Sequence, residues 1–359
     1  MEITALENYL SDQLGPLKVT SLHRTFPGHS RETWIVDTAE HGGFVMRVDH
    51  PGGPLVPVPM RVEFEVYKRL WRSPVPVAEP LWYAQDVDFA DGLPHMVRRL
   101  VDGSSKVPGL TLAPGSGGAE GAKVRQAVCY EMAEKLAIVH TLDWHAMGFD
   151  EVLFTPSNAA DALIEELRHW RAMWAEHRTD PFPMLTEALY WLEEQLPPGG
   201  NVLSLLKGNN GVGEEIWRDG RIIALSDWEL AAVGDPALDW AFSQGLLSLH
   251  DVDDTLAHYA DAAGFIIDRR RLAWSVVWIR IKASMTTNGG LAGFLDGRDG
   301  RLVRPALGMG VAKATESWLA TALGSDVEDL GNQILARQRS PYVLDDGPTP
   351  PATARAGRS

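Results

Sequence analysis

One cysteine, Cys129, is all that 359 residues contain, so an intramolecular disulfide and a metal site built on several thiolates are both excluded. Cys129 sits in an apolar helical pattern and reads as core. No stretch approaches the roughly 20 consecutive apolar residues of a membrane-spanning helix. The opening MEITALENYLSDQLGPL carries acidic side chains, where a secretory leader has a basic start and an apolar run. No membrane partner and a cytoplasmic location are therefore expected. Positive charge is also scarce: Lys and Arg total 33 against 48 Asp and Glu, a formal charge of −15. Such a balance repels nucleic acid and anionic lipid, and no nucleic-acid partner is expected. Internal repeats are missing, which removes solenoids and propellers.

What is present is an ordinary globular composition, 45% hydrophobic and 23% charged, long enough for one large domain or two moderate ones. After an amphipathic opening helix, VTSLHRTFPGHSRETWIVDTAEHGGFVMRVDHP alternates as strands do and breaks at Pro27-Gly28 and Gly42-Gly43. Two or three antiparallel strands read this way. PVPMRVEFEVYKRLWRS then places Val62, Val66 and Leu70 at helical spacing, and a second hairpin runs from EPLWYAQD to PHMVRRLVDG. Residues 1–102 thus read as a small α+β lobe. Lys106 to Lys123 is rich in glycine, proline and small residues, as a mobile loop or insertion is. From VRQAVCYEMAEKLAIVHTL onward the period is helical, with Val128, Met132, Leu136 and Val139 on one face. Residues 103–338 read as a larger, mostly α-helical lobe. The composition of 339–359, proline- and alanine-rich, predicts a disordered tail.

One hairpin interrupts those helices. In KGNNGVGEEIWRDGRIIALSDWELAAVGDP, two short apolar strands flank the turn Asp219-Gly220. The hairpin brings the loop before it and the turn after it to one end, gathering Glu214, Glu215, Asp227 and Glu229. Clustered carboxylates suit a hard cation such as magnesium, bound together with substrate phosphates. The bland alternative is a solvated acidic loop, with Asp235 capping the next helix.

The spacing resembles that of the aminoglycoside phosphotransferase-like branch of the protein-kinase-like superfamily. That family's pattern is His-Gly-Asp, four residues, Asn, a hairpin, Asp-Trp/Phe-Glu, then Gly-Asp-Pro and a later Asp. Here Gly208, Glu214 five after Asn209, Asp227 eighteen after Asn209, and DWELAAVGDPALDWA fall in that register. PGHSRETWIV, FVMRVDHP and VEFEVYKRLWRSPVPV are similar to the phosphate-covering turn, the cation-bearing strand and the helix whose Glu pairs with that cation. LAIVHTLDW and RHWRAMW are similar to segments of the kinase-like proteins found alone in actinobacteria or joined to acyl-CoA dehydrogenases. The resemblance implies a two-lobed protein-kinase-like fold with an antiparallel-sheet N-lobe and an α-rich C-lobe. It implies ATP and magnesium as cofactors, with a small-molecule hydroxyl as phosphate acceptor. By the same resemblance Gly28, His29 and Ser30 cover phosphates, Arg47 contacts them and Glu63 holds Arg47. The segment from Arg98 to Asp102, with Arg99 and Val101, faces adenine, and Asp227 takes the metal.

Three positions depart from the pattern. Lys207 stands for the family's His, Asn209 for its proton-accepting Asp, and Glu214 for its metal-binding Asn. A neutral amide cannot take a hydroxyl proton at pH 7. Yet the three positions Asn209, Glu214 and Asp227 total −2, as Asp, Asn and Asp do; the carboxylate has moved. Glu214 and Asp227 are the expected metal ligands, with Asn209, Lys207 and Glu214 as the catalytic set. Lys207 itself reads equally as a loop side chain in solvent or as a packed cation. Two alternatives stand beside an atypical phosphotransferase: a pseudokinase that binds nucleotide or a metabolite, and a non-kinase enzyme using the same cleft.

Overall fold

A computed structural model of the chain describes residues 1–25, 30–107, 118–210 and 213–337. Helix α1 (Ile3–Leu14) buries Leu6 and Leu10 against an antiparallel sheet of β1 (Val19–Arg24), β2 (Glu32–Thr38), β3 (Gly42–Val48), β4 (Pro80–Ala84) and β5 (His95–Arg99), in the order β1-β2-β3-β5-β4. Successive strand side chains point to opposite faces. Val36, Phe44, Met46 and Val97 therefore pack with α1, while Thr33, Ile35, Val45 and Arg47 line a cleft on the other face. Helix α2 (Met60–Leu70) lies between β3 and β4 in the chain. It buries Met60, Glu63, Phe64 and Tyr67, together with Val66 and Leu70 as the spacing predicts, while Val62 is only half-buried.

The remainder is helical: α3 (Gly118–His140), α4 (Ala162–His177), α5 (Pro183–Glu194), α6 (Ala237–Phe242), α7 (Gln244–Leu247), α8 (Val252–Ala263), α9 (Arg269–Leu295), α10 (Val303–Ala322) and α11 (Val327–Arg337). Val128, Cys129, Met132, Leu136 and Val139 are all buried in one core with the tryptophans of α4 and α9. One expectation is corrected: Gly118 to Lys123, read as part of a loop, form the first turns of α3, because Ala119, Glu120 and Ala122 are good helix formers that outweigh the glycines at this end. The stretch before it, 108–117, and the tail predicted for 339–359 lie outside the described residues. Among the described residues no helix is long and apolar enough to cross a membrane.

Two small sheets interrupt the helices. Strands β6 (Ser204–Leu206) and β9 (Ala232–Gly234) pair in the register Leu206↔Ala232, and between them lies the hairpin of β7 (Glu215–Arg218) and β8 (Arg221–Leu225). The turn Asp219-Gly220 has both residues at positive φ, 51° and 76°, as the tightest hairpin turns require. The β6–β9 pairing makes the loop after β6 and the loop before β9 emerge side by side. That places residues 207–210, Glu214 and 226–231 together.

Where β3 ends, His50 is buried at 2% exposure, and neither ring nitrogen is hydrogen-bonded to any described residue. Burial and the nearby Arg301 and Arg304 guanidiniums push it down to about 3. A histidine depressed in the fold stays neutral there while the unfolded chain protonates below about 6.5. Stability is accordingly lost as pH falls from 6.5 towards 3, at a slope of at most about 1.4 kcal/mol per pH unit from this group. His50→Gln is expected to flatten that limb in urea unfolding measured across pH; an unchanged slope would remove His50 as its cause.

Candidate active site

A cleft of about 690 Å³ opens between the five-stranded sheet and the hairpin. Ile35, Val45, Ala78, Leu100, Ile216 and Leu225 give it an apolar wall. A second cavity, of about 230 Å³, shares Leu55 with the cleft and is walled by Trp170, Trp174 and Met285. Among the described residues its only ionisable lining groups are His177 and Arg298.

The cations of the sheet meet the carboxylates of the loops in one buried network. Arg47 Nη1 donates to Glu63 Oε1 at 2.5 Å and to Asp227 Oδ1 at 3.1 Å, and Nη2 lies 3.6 Å from Glu229 Oε2. Burial opposes its charge, but Glu63, Asp227 and Glu229 more than offset this and hold Arg47 firmly protonated. A second arginine, Arg31, donates through Nε to Asp49 at 2.7 Å and through Nη1 to Glu229 at 2.6 Å and Glu63 at 3.2 Å. Ser30 Oγ donates to the same Glu229 oxygen at 2.8 Å.

Across the cleft, Trp228 is fully buried and its indole N–H donates to the Leu225 carbonyl at 3.2 Å. Anchoring Trp228 inward presents its neighbours Asp227 and Glu229 to the cleft, and Asp227 takes φ +61° to do so. Asp is among the few side chains that tolerate that region. Asn209 Nδ2 donates to Asp227 Oδ2 at 2.5 Å, so both Asp227 oxygens are held by donors. Burial works against its ionisation, yet Arg47 and Lys207 keep it below the usual carboxylate range. Glu214 is pushed up to about 8 by burial and then by Asp227. Burial raises Glu215 to about 7, and burial with Asp227 raises Glu229 to about 7.

The loop bearing Asn209 rests on Asp239. This fully buried carboxylate accepts the Lys207 N–H on Oδ2 and the Gly208 N–H on Oδ1, both at 2.8 Å, and His140 Nε2 at 3.0 Å. Gly208 has φ +81°, and a Cβ there would sit 2.0 Å from the Leu230 carbonyl oxygen, so no other residue fits. The open choice at Lys207 resolves to a packed cation: the side chain is fully buried, with its ammonium donating to the Asn209 carbonyl.

Of the residues expected from sequence, Ser30, Arg47, Arg99, Val101, Asn209, Glu214 and Asp227 line the cleft. Glu63 sits behind Arg47 with no exposure, and Lys207 lies beneath the loop. Gly28 and His29 lie outside the described residues. The Arg99 guanidinium is engaged by the His41 carbonyl at 2.7 Å and the Phe44 ring at 4.9 Å. Asp235 is structural, accepting the Ala237 N–H and pairing with Arg271, each within 3 Å. The residue that sequence reasoning passed over is Arg31, at the mouth of β2; the arginine beside the quoted turn was the only signal.

Cationic Arg31, Arg47 and Lys207 thus face six carboxylates: Asp49, Glu63, Glu214, Glu215, Asp227 and Glu229. Burial holds Glu214, Glu215 and Glu229 above the usual carboxylate range, with Asp227 adding to it at Glu214 and Glu229; a divalent cation would favour their ionised forms. Among the described residues no three His, Cys, Asp or Glu side chains are grouped to hold a metal by themselves.

Known proteins share this architecture. The chain is 28% identical over 250 residues to acyl-CoA dehydrogenase family member 11 of Gallus gallus, covering 67% of this chain and 30% of that protein. It is 26% identical over 252 residues to family member 10 of Mus musculus, covering 67% and 22%. The chain therefore spans less than a third of the curated relatives it matches. Among solved structures, a protein of Ralstonia eutropha described as an aminoglycoside phosphotransferase aligns with TM-score 0.62 at 20% identity, over 93% of this chain and 98% of that one. The aminoglycoside phosphotransferase APH(4)-Ia, in a ternary complex with ADP and hygromycin B, aligns with TM-score 0.54 at 18% identity, over 89% and 100%. A macrolide 2'-phosphotransferase of Brachybacterium faecium gives 0.55 at 20%, over 87% and 97%. Such likenesses show that the fold is the one these aminoglycoside and macrolide phosphotransferases share. With residues 24–274 matching it, well over half of its length, the chain belongs to the phosphotransferase enzyme family.

Proposed function

We propose that this chain is an atypical ATP-dependent phosphotransferase that acts on a hydroxyl of a small molecule, with residues 1–102 and 103–338 as its two lobes. The observation that carries the reading is the convergence of Arg47, Glu63 and Asp227 in one cleft, with hydrogen bonds of 2.5 and 3.1 Å from a single guanidinium nitrogen. In this reading Arg47 turns to the nucleotide phosphates while Glu63 holds its stem in place, and Ser30 lies at the same end of the cleft. The wall of Val45, Ala78, Leu100, Val101 and Leu225 receives the adenine beside the chain from Arg98 to Asp102.

Glu214 and Asp227 are the carboxylates that would hold magnesium, which when bound supplies positive charge to the reacting phosphates. Two carboxylates, with no third grouped beside them among the described residues, are the number expected where phosphates complete the shell. Asn209, hydrogen-bonded to Asp227, positions the acceptor hydroxyl, and Lys207 sets the loop from beneath. Phosphoryl transfer depends mainly on positioning and charge stabilisation, so the loss of a carboxylate at Asn209 slows rather than forbids it. The cavity beyond Leu55 offers room for the acceptor. Among the described residues its lining has no carboxylate, so a polyamine finds no counter-charge from them.

A second reading, a nucleotide-binding pseudokinase, is favoured by one observation: Asn209 donates to Asp227 and leaves no proton acceptor in its own position. Both readings predict that magnesium-ATP stabilises the fold, by about 2.7 kcal/mol at 100 times its dissociation constant. Thermal unfolding with ATP, with and without magnesium, checks this; no shift at millimolar nucleotide would sink both. Phosphate transfer to a panel of hydroxyl acceptors then separates them.

A further inference from the structure

We propose that Arg31 is a further positioning residue, a second arginine whose contacts with Glu63 and Glu229 free Arg47 to reach the nucleotide phosphates. The inference rests on the reading of Arg47 given above. Arg31 itself is only 1% exposed on its side chain and all three of its nitrogens are committed: Nε to Asp49, Nη1 to Glu63 and Glu229, and Nη2 to the Val58 carbonyl at 2.7 Å. Four of its five N–H donors are used in this way, so Arg31 is held in place by the protein itself.

Arg47 is differently placed. Its Nε is buried with no hydrogen-bond partner among the described residues, and its contact with Glu229 is the long one, at 3.6 Å. Glu63 offers one oxygen to each arginine, Oε1 to Arg47 and Oε2 to Arg31. Glu229 takes its short bonds from Ser30 and Arg31. When Arg47 swings toward a phosphate, both carboxylates therefore keep a partner. Without Arg31, Arg47 would be the one cation left to both, with only the neutral Ser30 hydroxyl still on Glu229, and a buried carboxylate without a charge partner is costly. Arg47 would then be locked in place. Lysine cannot substitute, since one ammonium lacks the planar fork that spans Asp49, Val58 and two glutamates. Ser30 and Arg31 also tie the residues just before β2 to Glu229, across the cleft.

The test measures magnesium-ATP affinity calorimetrically, and the ATP KM and kcat of any turnover, for the full chain and for Arg31→Met, Arg31→Lys, Glu229→Gln and the double variant Arg31→Met/Glu229→Gln. Arg31→Met and Arg31→Lys are expected to weaken nucleotide binding about tenfold or more, seen in KM rather than kcat. The double variant is expected to recover part of that loss, since Glu229, one of the stranded carboxylates, is neutralised. Recovery distinguishes a released Arg47 from mere structural damage, and the double variant carries the test should Arg31→Met fail to fold. Wild-type affinity in Arg31→Met, or a double variant as weak as Arg31→Met, would overturn the proposal. A wild-type chain that binds no nucleotide would instead overturn the phosphotransferase reading, and this inference with it.

Discussion

Asp239→Ala is expected to lose about 3–5 kcal/mol of stability, the range seen when one partner of a buried charged network is removed, and to lose nucleotide binding with it. Asp239 is fully buried and organises the loop below the cleft from both oxygens. Truncation would strand the Lys207 and Gly208 amides. It would also strand His140, whose Nδ1 is already paired with the Tyr259 hydroxyl at 2.7 Å. Each buried donor left without an acceptor costs about 1–3 kcal/mol. Burial opposes ionisation of Asp239, but the bonds from His140 and the two amides hold it below the usual carboxylate range. Domains of this kind have only about 5–15 kcal/mol in hand, so the Ala chain should approach the folding threshold. Asp239→Asn keeps one acceptor and should cost less. Urea unfolding of the three chains checks the order; an Ala variant within about 1 kcal/mol of the parent would mean that water replaces the carboxylate.

The parts of this site that could be read from sequence are those set by short-range geometry. Arg47 lies on a strand whose alternation is visible, Glu63 lies on a helix whose apolar stripe is visible, and the Asp219-Gly220 turn announces the hairpin that brings Glu214 to Asp227. The resemblance supplied their register. Arg31 could not be read in the same way, because its partners are 18, 32 and 198 residues away and no periodicity links them. Lys207 is a loop residue, and periodicity says nothing about which way a loop side chain points; its burial follows from Asp239 holding the backbone on either side. Strands β6 and β9 are three residues each, too short for an alternating pattern to stand out. They nevertheless bring the two halves of the site together. Glycines at the start of α3 masked a helix that its neighbouring residues sustain.

The exchange of Asn209 and Glu214 with the family's Asp and Asn predicts a coupled pair. Glu214→Asn alone should lower turnover by about 10²–10³, the range for losing one preorganised electrostatic group, because Asp227 would lose its partner carboxylate for the metal. Asn209→Asp alone should impair the site for a different reason. The amide now donates to Asp227 Oδ2 at 2.5 Å, and a carboxylate in its place would set two acceptors against each other, so that one must hold a proton. In the double variant the charge total is unchanged. The carboxylate introduced at position 209 then takes the role of proton acceptor while the site near it loses the Glu214 charge, so the two changes should compensate. Non-additivity of about 0.5–3 kcal/mol is expected between contacting or charge-coupled positions. Lys207 limits the recovery, since its buried ammonium is fixed to the Asn209 carbonyl and is fitted to this loop. Nucleotide affinity and ATP turnover in the parent, the two single variants and the double variant decide the matter. Strictly additive losses would show that the two exchanges are independent, and the idea of a relocated carboxylate would give way to the pseudokinase reading.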